Sequence, residues 1–236
     1  MVTIVGTIER LWRYPIKSTG GERLTSVEVD QRGVTGDRLY AVRDAEGKFG
    51  SGKSTRRFRR MDGLLHLSSR YPGDSDRPEL IDPHGHAVAD ATTFIRAYLG
   101  RDDVAVVREG EISHFDQLPL SILTTATLGW IRQAIPGVPI DERRFRPNIL
   151  VRTPPGTPPF VEDDWFGCTA RIGGTLRLEL LRASERCVMI NQAQQDLPHS
   201  PLILKTVAAA HDNRLDVLAR VAAPGQVRVG DALVLE

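Results

Sequence analysis

Gly47-Lys48-Phe49-Gly50-Ser51-Gly52-Lys53-Ser54 fits the pattern G-x-x-x-x-G-K-[ST], and how it is read decides the fold class. As a phosphate-binding loop it would join a buried parallel strand to a helix, with glycine backbone N–H groups cradling a nucleotide in an α/β protein. Its neighbours argue against that. The preceding strand, 39–43, runs into the turn Asp44-Ala45-Glu46-Gly47, and the following Thr55-Arg56-Arg57-Phe58-Arg59-Arg60 has no apolar stripe to bury on a sheet. No later apolar run ends in a carboxylate suited to a nucleotide's metal. The stretch is therefore expected to be a glycine-rich hairpin in a β-rich protein. Lys53, Arg56, Arg57, Arg59 and Arg60 keep two readings: a solvated basic face, or a rim that steers an anionic cofactor or substrate.

Working outward, residues 2–14 are rich in β-branched and aromatic side chains, and 24–29 and 38–43 alternate apolar with polar, as short antiparallel strands do. Pro, Gly, Asp and His crowd 71–89, which predicts loops and a hairpin tip at Asp82-Pro83-His84-Gly85. A helix is predicted over 124–134, where a threonine cap precedes Leu128, Ile131 and Ile135 at helical spacing and Pro136-Gly137 stops the run. Residues 145–152, 169–181 and 226–235 read as strands, and 201–211 as a second helix. Few, separated helices among short strands predict a mainly β (α+β) protein, a barrel with appended helices rather than alternating βα units.

The 31 basic and 30 acidic side chains leave a net charge of +1, so no global field draws in nucleic acid or a membrane surface. The N-terminus lacks the basic and apolar regions of a leader, and no apolar run approaches the ~20 residues of a bilayer span, so a soluble, cytoplasmic protein is expected. Two cysteines, Cys168 and Cys187, are too few for a disulfide framework and lie in no zinc or iron-sulfur pattern. His84 and His86 have no further ligand near them in sequence and predict no metal site.

Seven stretches together carry a family resemblance. They are Tyr14-Pro15-Ile16-Lys17-Ser18, Gly33-Val34-Thr35-Gly36-Asp37-Arg38, Asp116-Gln117-Leu118-Pro119-Leu120 running into Leu123-Thr124-Thr125, Arg144-Phe145-Arg146-Pro147-Asn148-Ile149, Glu162-Asp163-Asp164-Trp165-Phe166-Gly167, Arg186-Cys187-Val188-Met189 and Pro224-Gly225-Gln226-Val227-Arg228-Val229-Gly230-Asp231. In this order they resemble the molybdenum cofactor sulfurase C-terminal (MOSC) family with its N-terminal β companion, as found in amidoxime-reducing proteins. The resemblance implies a smaller antiparallel β domain over 1–90 and a MOSC β-barrel over 91–236. It also implies a molybdenum cofactor (molybdopterin with Mo) and an oxidoreductase that removes oxygen from small N-hydroxylated substrates of the amidoxime or hydroxylamine type. The chain ends at Glu236 without the ferredoxin-like extension of some relatives, so electrons are expected from a separate flavin, haem or iron-sulfur donor protein.

The same resemblance implies Cys187 as metal ligand and catalytic residue, and Lys17, Ser18, Arg38, Asp116, Thr124, Thr125, Arg146, Asn148 and Arg186 as cofactor contacts. Their chemistry suits a pterin that carries a dianionic phosphate and a dithiolene-held metal. Lys17, Ser18 and Arg38, each beside a turn, can bind phosphate, and Thr124 and Thr125 add donors at a helix N-terminus. Arg146 and Asn148 alternate on an expected strand and so share a face. A soft thiolate suits molybdenum, and adjacent Arg186 is expected to favour the deprotonated sulfur.

Plainer readings stand beside these. Cys187 could be a buried strand cysteine, Arg38 with Asp37 a surface ion pair, and Asp116 a turn or helix cap. Cys168 is expected only to pack, and Asp163, Asp164 and Trp165 to form a structural turn anchored by the indole. Ile190-Asn191-Gln192-Ala193-Gln194 departs from the hydroxyl residues and acidic-proline turn usual after the family's cysteine, which leaves the substrate open. A carrier or sulfur-transfer module, passing on the cofactor or a persulfide from Cys187, is the alternative function.

Overall fold

Thr3–Arg13 is the strand on which the main sheet closes, because it pairs antiparallel with Ala232–Leu235 along one edge and with Ile149–Arg152 along the other. The computed structural model describes residues 2–73 and 75–236; Met1, and Asp74 within the loop-rich stretch 71–89, lie outside the described residues. From Ile149–Arg152 the barrel continues through Leu120–Thr124, Arg214–Ala223, Leu176–Glu185 and Thr169–Ile172 back to Ala232–Leu235. Closure leaves the seven strands without a free edge, which removes the pairing hazard of an open sheet. Inward positions Ile8, Leu11, Leu120, Ile122, Val151, Leu178, Leu180, Val217 and Leu233 fill the interior.

Closure also demands close approach. An added Cβ on Gly6, at a register shift in the first strand, would lie 2.5 Å from the Arg152 carbonyl oxygen and 2.6 Å from Val151 Cγ1. Gly6→Ala is therefore expected to cost about 1–3 kcal/mol, read as a lower urea midpoint at unchanged slope.

Among the described residues, the one parallel pair of the barrel joins Leu120–Thr124 to Ile149–Arg152. Helix α2 (Thr125–Ala134) makes the crossover that parallel strands require. Thr124 caps it, its hydroxyl accepting from the Thr127 N–H at 3.1 Å, and Leu128, Ile131 and Ile135 are buried as their spacing predicts. Helix α3 (Leu202–His211) packs Ile203 and Val207 into the same cluster. Helix α1 (Ala91–Leu99), which the sequence reading lacks, is capped by Asp90 and buries Ile95 under the smaller sheet's core of Ile16, Val42, Leu64, Leu67 and Val104.

That smaller sheet runs Val104–Arg108, Tyr40–Asp44, Phe49–Ser51, Phe58–Arg60, with Ile16–Lys17 beside Tyr40–Asp44. The protein is thus mainly β, a barrel with a smaller N-terminal sheet and, among the described residues, three α-helices. The strand pairings do not follow a cut at residue 90, since Thr3–Arg13 belongs to the barrel and Val104–Arg108 to the smaller sheet.

Several predicted elements change on inspection. Residues 169–181 form not one strand but a hairpin, turning at Gly173 with φ 58° between Thr169–Ile172 and Leu176–Glu185. Residues 226–235 are split likewise by Gly230 at φ 94°, into Gly225–Arg228 and Ala232–Leu235. The strands Leu120–Thr124 and Arg214–Ala223 lack clean alternation because the whole of the first and the run Leu215–Ala219 of the second are buried, the first by α2 on its outer side. The strand predicted over 145–152 begins only at Ile149. Gly47–Ser54 holds the short strand Phe49–Ser51, and the next element is the parallel strand Phe58–Arg60 rather than a helix. Among the described residues no helix is long and apolar enough to cross a membrane.

Candidate cofactor-binding site

A cavity of about 700 Å³ opens where the smaller sheet meets the barrel mouth, lined by Lys17, Ser18, Arg38, Ser51, Lys53 and Arg57 from one side and by Ser121, Arg144, Arg146, Asn148, Arg186 and Cys187 from the other. Eight of its side chains are basic (Lys17, Lys53, Arg38, Arg57, Arg144, Arg146, Arg182, Arg186) and two acidic (Asp116, Glu185). A chain of net charge +1 therefore gathers a strongly positive field in one concavity, which favours an anionic occupant.

The backbone at this wall is unusual. Ser18, Arg38 and Arg146 have φ of 65°, 50° and 57°, the left-handed region that costs a non-glycine residue about 1–3 kcal/mol. All three line the cavity. Asp37, fully buried, accepts the Tyr14 N–H at 2.7 Å and pairs with the Arg38 guanidinium, so this is an internal ion pair rather than a surface one. The Arg38 and Arg146 guanidinium carbons lie 4.9 and 4.2 Å from the Tyr14 ring centroid. Arg146 Nη1 donates to the Thr19 carbonyl at 2.6 Å, while its buried Nη2 has no partner. Burial, with Arg38 adding repulsion, pulls Arg146 down to about 10, so it stays cationic at neutral pH and gains from an incoming anion.

Lys17 is buried, its ammonium donating to the His114 carbonyl at 2.6 Å and to Asp116 at 2.5 Å. Burial lowers it to about 8 against the pull of Asp116. Asp116 thus sets the cation in place, and its own carboxyl is held low because Lys17, Lys53 and Arg38 outweigh burial. Asn148 holds two strands in register, its side chain accepting the Ser121 N–H at 3.3 Å and donating to the Trp12 carbonyl at 3.4 Å. The alternation expected for Arg146 and Asn148 does not exist, since the left-handed Arg146 precedes the strand, yet both reach the cavity.

Cys187 is a free, half-buried thiol in the cavity wall, immediately before the 3-10 turn Val188–Asn191. The cation at its sulfur is not Arg186. That guanidinium is committed to the Ser184 hydroxyl at 3.0 Å, the Phe145 carbonyl and Asp216 at 3.4 Å. Lys53 takes the place instead, with Nζ 3.6 Å from Sγ. The segment after the cysteine is tied down by Arg144, which donates to the Gln192 and Pro198 carbonyls, and by Asn191, whose side chain accepts the Leu204 N–H at 2.9 Å. The residues that depart from the family's usual pattern therefore anchor this segment to α3. Cys168 lies away from the cavity at the start of Thr169–Ile172, Trp165 is buried in the barrel core, and Asp163 pairs with His211 at 2.8 Å.

Of the residues singled out in the sequence, the cavity gathers Lys17, Ser18, Arg38, Asp116, Arg146, Asn148, Arg186 and Cys187. Thr124 and Thr125 are not among its lining. Their hydroxyls are spent at the α2 N-terminus, Thr124 donating to Glu162 at 2.9 Å and Thr125 meeting Thr153 at 3.2 Å. Lys53, for which the sequence leaves a solvated face and an anion-steering rim open, lines the cavity, as does Arg144, which the sequence places in a family stretch but not among the expected contacts; neither signal says where its side chain ends up.

Glu162 sits behind these threonines. It accepts the Thr124 and Thr127 hydroxyls, leaves Oε1 unpartnered, and is pushed up by burial from 4.5 to about 7. The folded chain then binds a proton that the unfolded chain has lost, so stability falls as pH rises from about 4.5 to about 7, by on the order of 3 kcal/mol. Glu162→Gln is expected to flatten the denaturation free energy across that window. An unchanged pH slope would show that the carboxyl titrates alike in both states.

The family model described as the MOSC domain matches residues 109–234, just over half of the chain, and the MOSC N-terminal beta barrel domain matches residues 5–72. The chain belongs to the MOSC domain family. It is similar to mitochondrial amidoxime-reducing component 1 of Mus musculus, 24% identical over 292 residues that cover 98% of this chain and 82% of that protein. The protein of the same name from Homo sapiens is 23% identical over 228 residues, covering 78% of this chain and 66% of its own length. In fold, this MOSC protein resembles the YuaD protein from Bacillus subtilis, with a TM-score of 0.54, 14% identity, and coverage of 100% of this chain and 96% of that one.

The MOSC cavity can be tested for fit to a metal-bearing anionic group. Among the described residues no cluster of three or more His, Cys, Asp or Glu side chains is placed to hold a metal. A metal here must arrive with most of its ligands already attached, leaving Cys187 to supply one soft donor. An unpartnered guanidinium nitrogen on Arg146 and the surrounding cations suit an attached phosphate. The residues fit a molybdenum cofactor.

Proposed function

We propose that this cavity holds a molybdenum cofactor through Cys187 and that the loaded protein reduces N-hydroxylated substrates of the amidoxime or hydroxylamine type. One observation carries the reading: a single free thiol faces a cavity with eight basic side chains, among which the buried Arg146 Nη2 and Arg186 Nε lack partners. MOSC domains are associated with the molybdenum cofactor, and two relatives bear the name amidoxime-reducing component. When bound, the cofactor supplies the two-electron chemistry that the protein's own side chains lack.

The chain's residues bind and orient. Lys17, Ser18, Arg38 and Arg146 bind the phosphate-bearing part, already turned toward the cavity by their left-handed or buried backbone, so little ordering remains to be done on binding. Asp116 keeps the Lys17 ammonium aimed and offsets part of its desolvation. Asn148 and Arg186 act more rigidly, joining strands and the Phe145 carbonyl behind the site. Phe58, Phe115, Phe145 and Leu218 give the cavity apolar wall that excludes water from part of the substrate. Electrons come from a separate donor protein, and the site requires neither nucleic acid nor a membrane.

The test is elemental analysis of protein made in a host that synthesises the cofactor, joined to reduction of benzamidoxime with a competent electron donor. About one molybdenum per chain together with turnover supports the reading. Bound molybdenum without turnover favours a carrier of the cofactor, and the absence of both metal and turnover overturns both cofactor readings, leaving persulfide transfer from Cys187.

A further inference from the structure

The glycine-rich motif 47–54 enters the proposed function only through the charge of Lys53, yet its end meets the sulfur that function depends on. Lys53 reaches from the smaller sheet with Nζ 3.6 Å from Cys187 Sγ and 3.9 Å from Asp116, its ammonium 4.5 Å above the Phe58 ring. The loop bearing it is pressed onto the segment that follows the cysteine. An added Cβ on Gly52 would lie 2.9 Å from Met189 Sδ and 3.1 Å from Gln192 Cγ, Gln192 donates to the Gly52 carbonyl at 3.4 Å, and the Ser51 hydroxyl lies 3.4 Å from Met189 Sδ. The loop after the strand Phe49–Ser51 and the turn after Cys187 therefore meet at one thiol.

We propose that Lys53 is a positioning residue for Cys187: it donates a hydrogen bond to the ligand sulfur and fixes where that sulfur points. Gly52 serves close packing rather than phosphate binding, because a side chain at position 52 would press on Met189 and Gln192 and move the loop that brings the ammonium to the sulfur. Phe58 and Asp116 hold the ammonium from its other sides, so the donor is set before any cofactor arrives. A hydrogen bond to a ligating sulfur withdraws charge from the metal–sulfur bond, and such outer partners tune a metal site strongly. This extends the cofactor reading and rests on it for its metal-dependent part.

The test has two arms. In the cofactor-free full chain, a short amine-to-thiol crosslinker is applied and the products are mapped by peptide mass spectrometry. A Lys53–Cys187 link is expected, and its absence while other lysines react overturns the proposal. In the molybdenum-loaded chain, Lys53→Met and Lys53→Arg are compared with the parent at matched metal content. Lys53→Met is expected to shift the sulfur-to-molybdenum charge-transfer absorption and lower the Mo(V)/Mo(IV) midpoint potential, with Lys53→Arg restoring much of both. A spectrum and potential unmoved by Lys53→Met overturn the role. If the cofactor-free chain gives the crosslink but the uncrosslinked chain, made in a host that synthesises the cofactor, takes up no molybdenum, the cofactor reading is overturned while Lys53 stands as the partner of the sulfur.

Discussion

Cys187→Ala is expected to leave the chain folded and without molybdenum. The thiol is half-buried at the cavity wall and outside the main hydrophobic clusters, so its removal costs little packing, on the order of 1 kcal/mol or less. Its effect on cofactor retention is of another size. Loss of an outer partner of a metal ligand already costs ~10–100-fold in metal affinity, and here the lost atom is the protein's only proposed donor to the metal. Molybdenum per chain and benzamidoxime turnover should therefore both fall below detection, while the thermal midpoint stays within a few degrees. Cys168→Ala, outside the cavity, should retain both. An alanine variant at 187 that purifies with full metal content and full turnover would reject the proposed function.

Arg144→Met is expected to destabilise the fold by about 3–5 kcal/mol. The arginine is 1% exposed and donates to three backbone carbonyls, of Pro139 at 3.0 Å, Gln192 at 3.2 Å and Pro198 at 2.7 Å. Two effects oppose each other. Methionine removes a buried charge, which burial alone disfavours, as the lowered pKa of Arg144 records. It also removes three hydrogen bonds made by a charged donor, each worth about 1.5–3 kcal/mol. The second effect wins because there are three acceptors and one charge. For a chain of this length the loss corresponds to a fall of about 10 °C in thermal midpoint. Arg144→Lys should rescue only part, since one ammonium cannot reach three carbonyls set in a fork. Because Gln192 and Pro198 bound the segment behind Cys187, the variant should also lose cofactor in proportion. Stability within 1 kcal/mol of the parent, measured by urea denaturation, would show that the clamp contributes nothing net.

These two residues illustrate different degrees of legibility. Cys187 was visible as a site because a thiol has few roles and its neighbours matched a family motif. Arg144 was visible only as one arginine among several, because a guanidinium that serves backbone carbonyls leaves no trace in sequence spacing. The same holds for the rejected nucleotide motif. Its turn and its lack of a following helix could be read locally, whereas the place where Lys53 ends depends on a contact 134 residues away.

Local chemistry determined the β character, the threonine cap and apolar stripe of α2, and the run of α3. Each depends on neighbours within a few positions, where propensity and periodicity act. Three things belonged to the tertiary structure. Barrel closure divided two predicted strands at Gly173 and Gly230 and buried two unpredicted ones, since burial on both faces erases alternation. Folding withdrew Thr124 and Thr125 into a helix cap and moved the cation at the sulfur from Arg186 to Lys53. It also gathered eight basic side chains from distant segments around one thiol in a chain that is nearly neutral. Electrostatic fields follow distance in space, and a linear order of residues does not contain that distance.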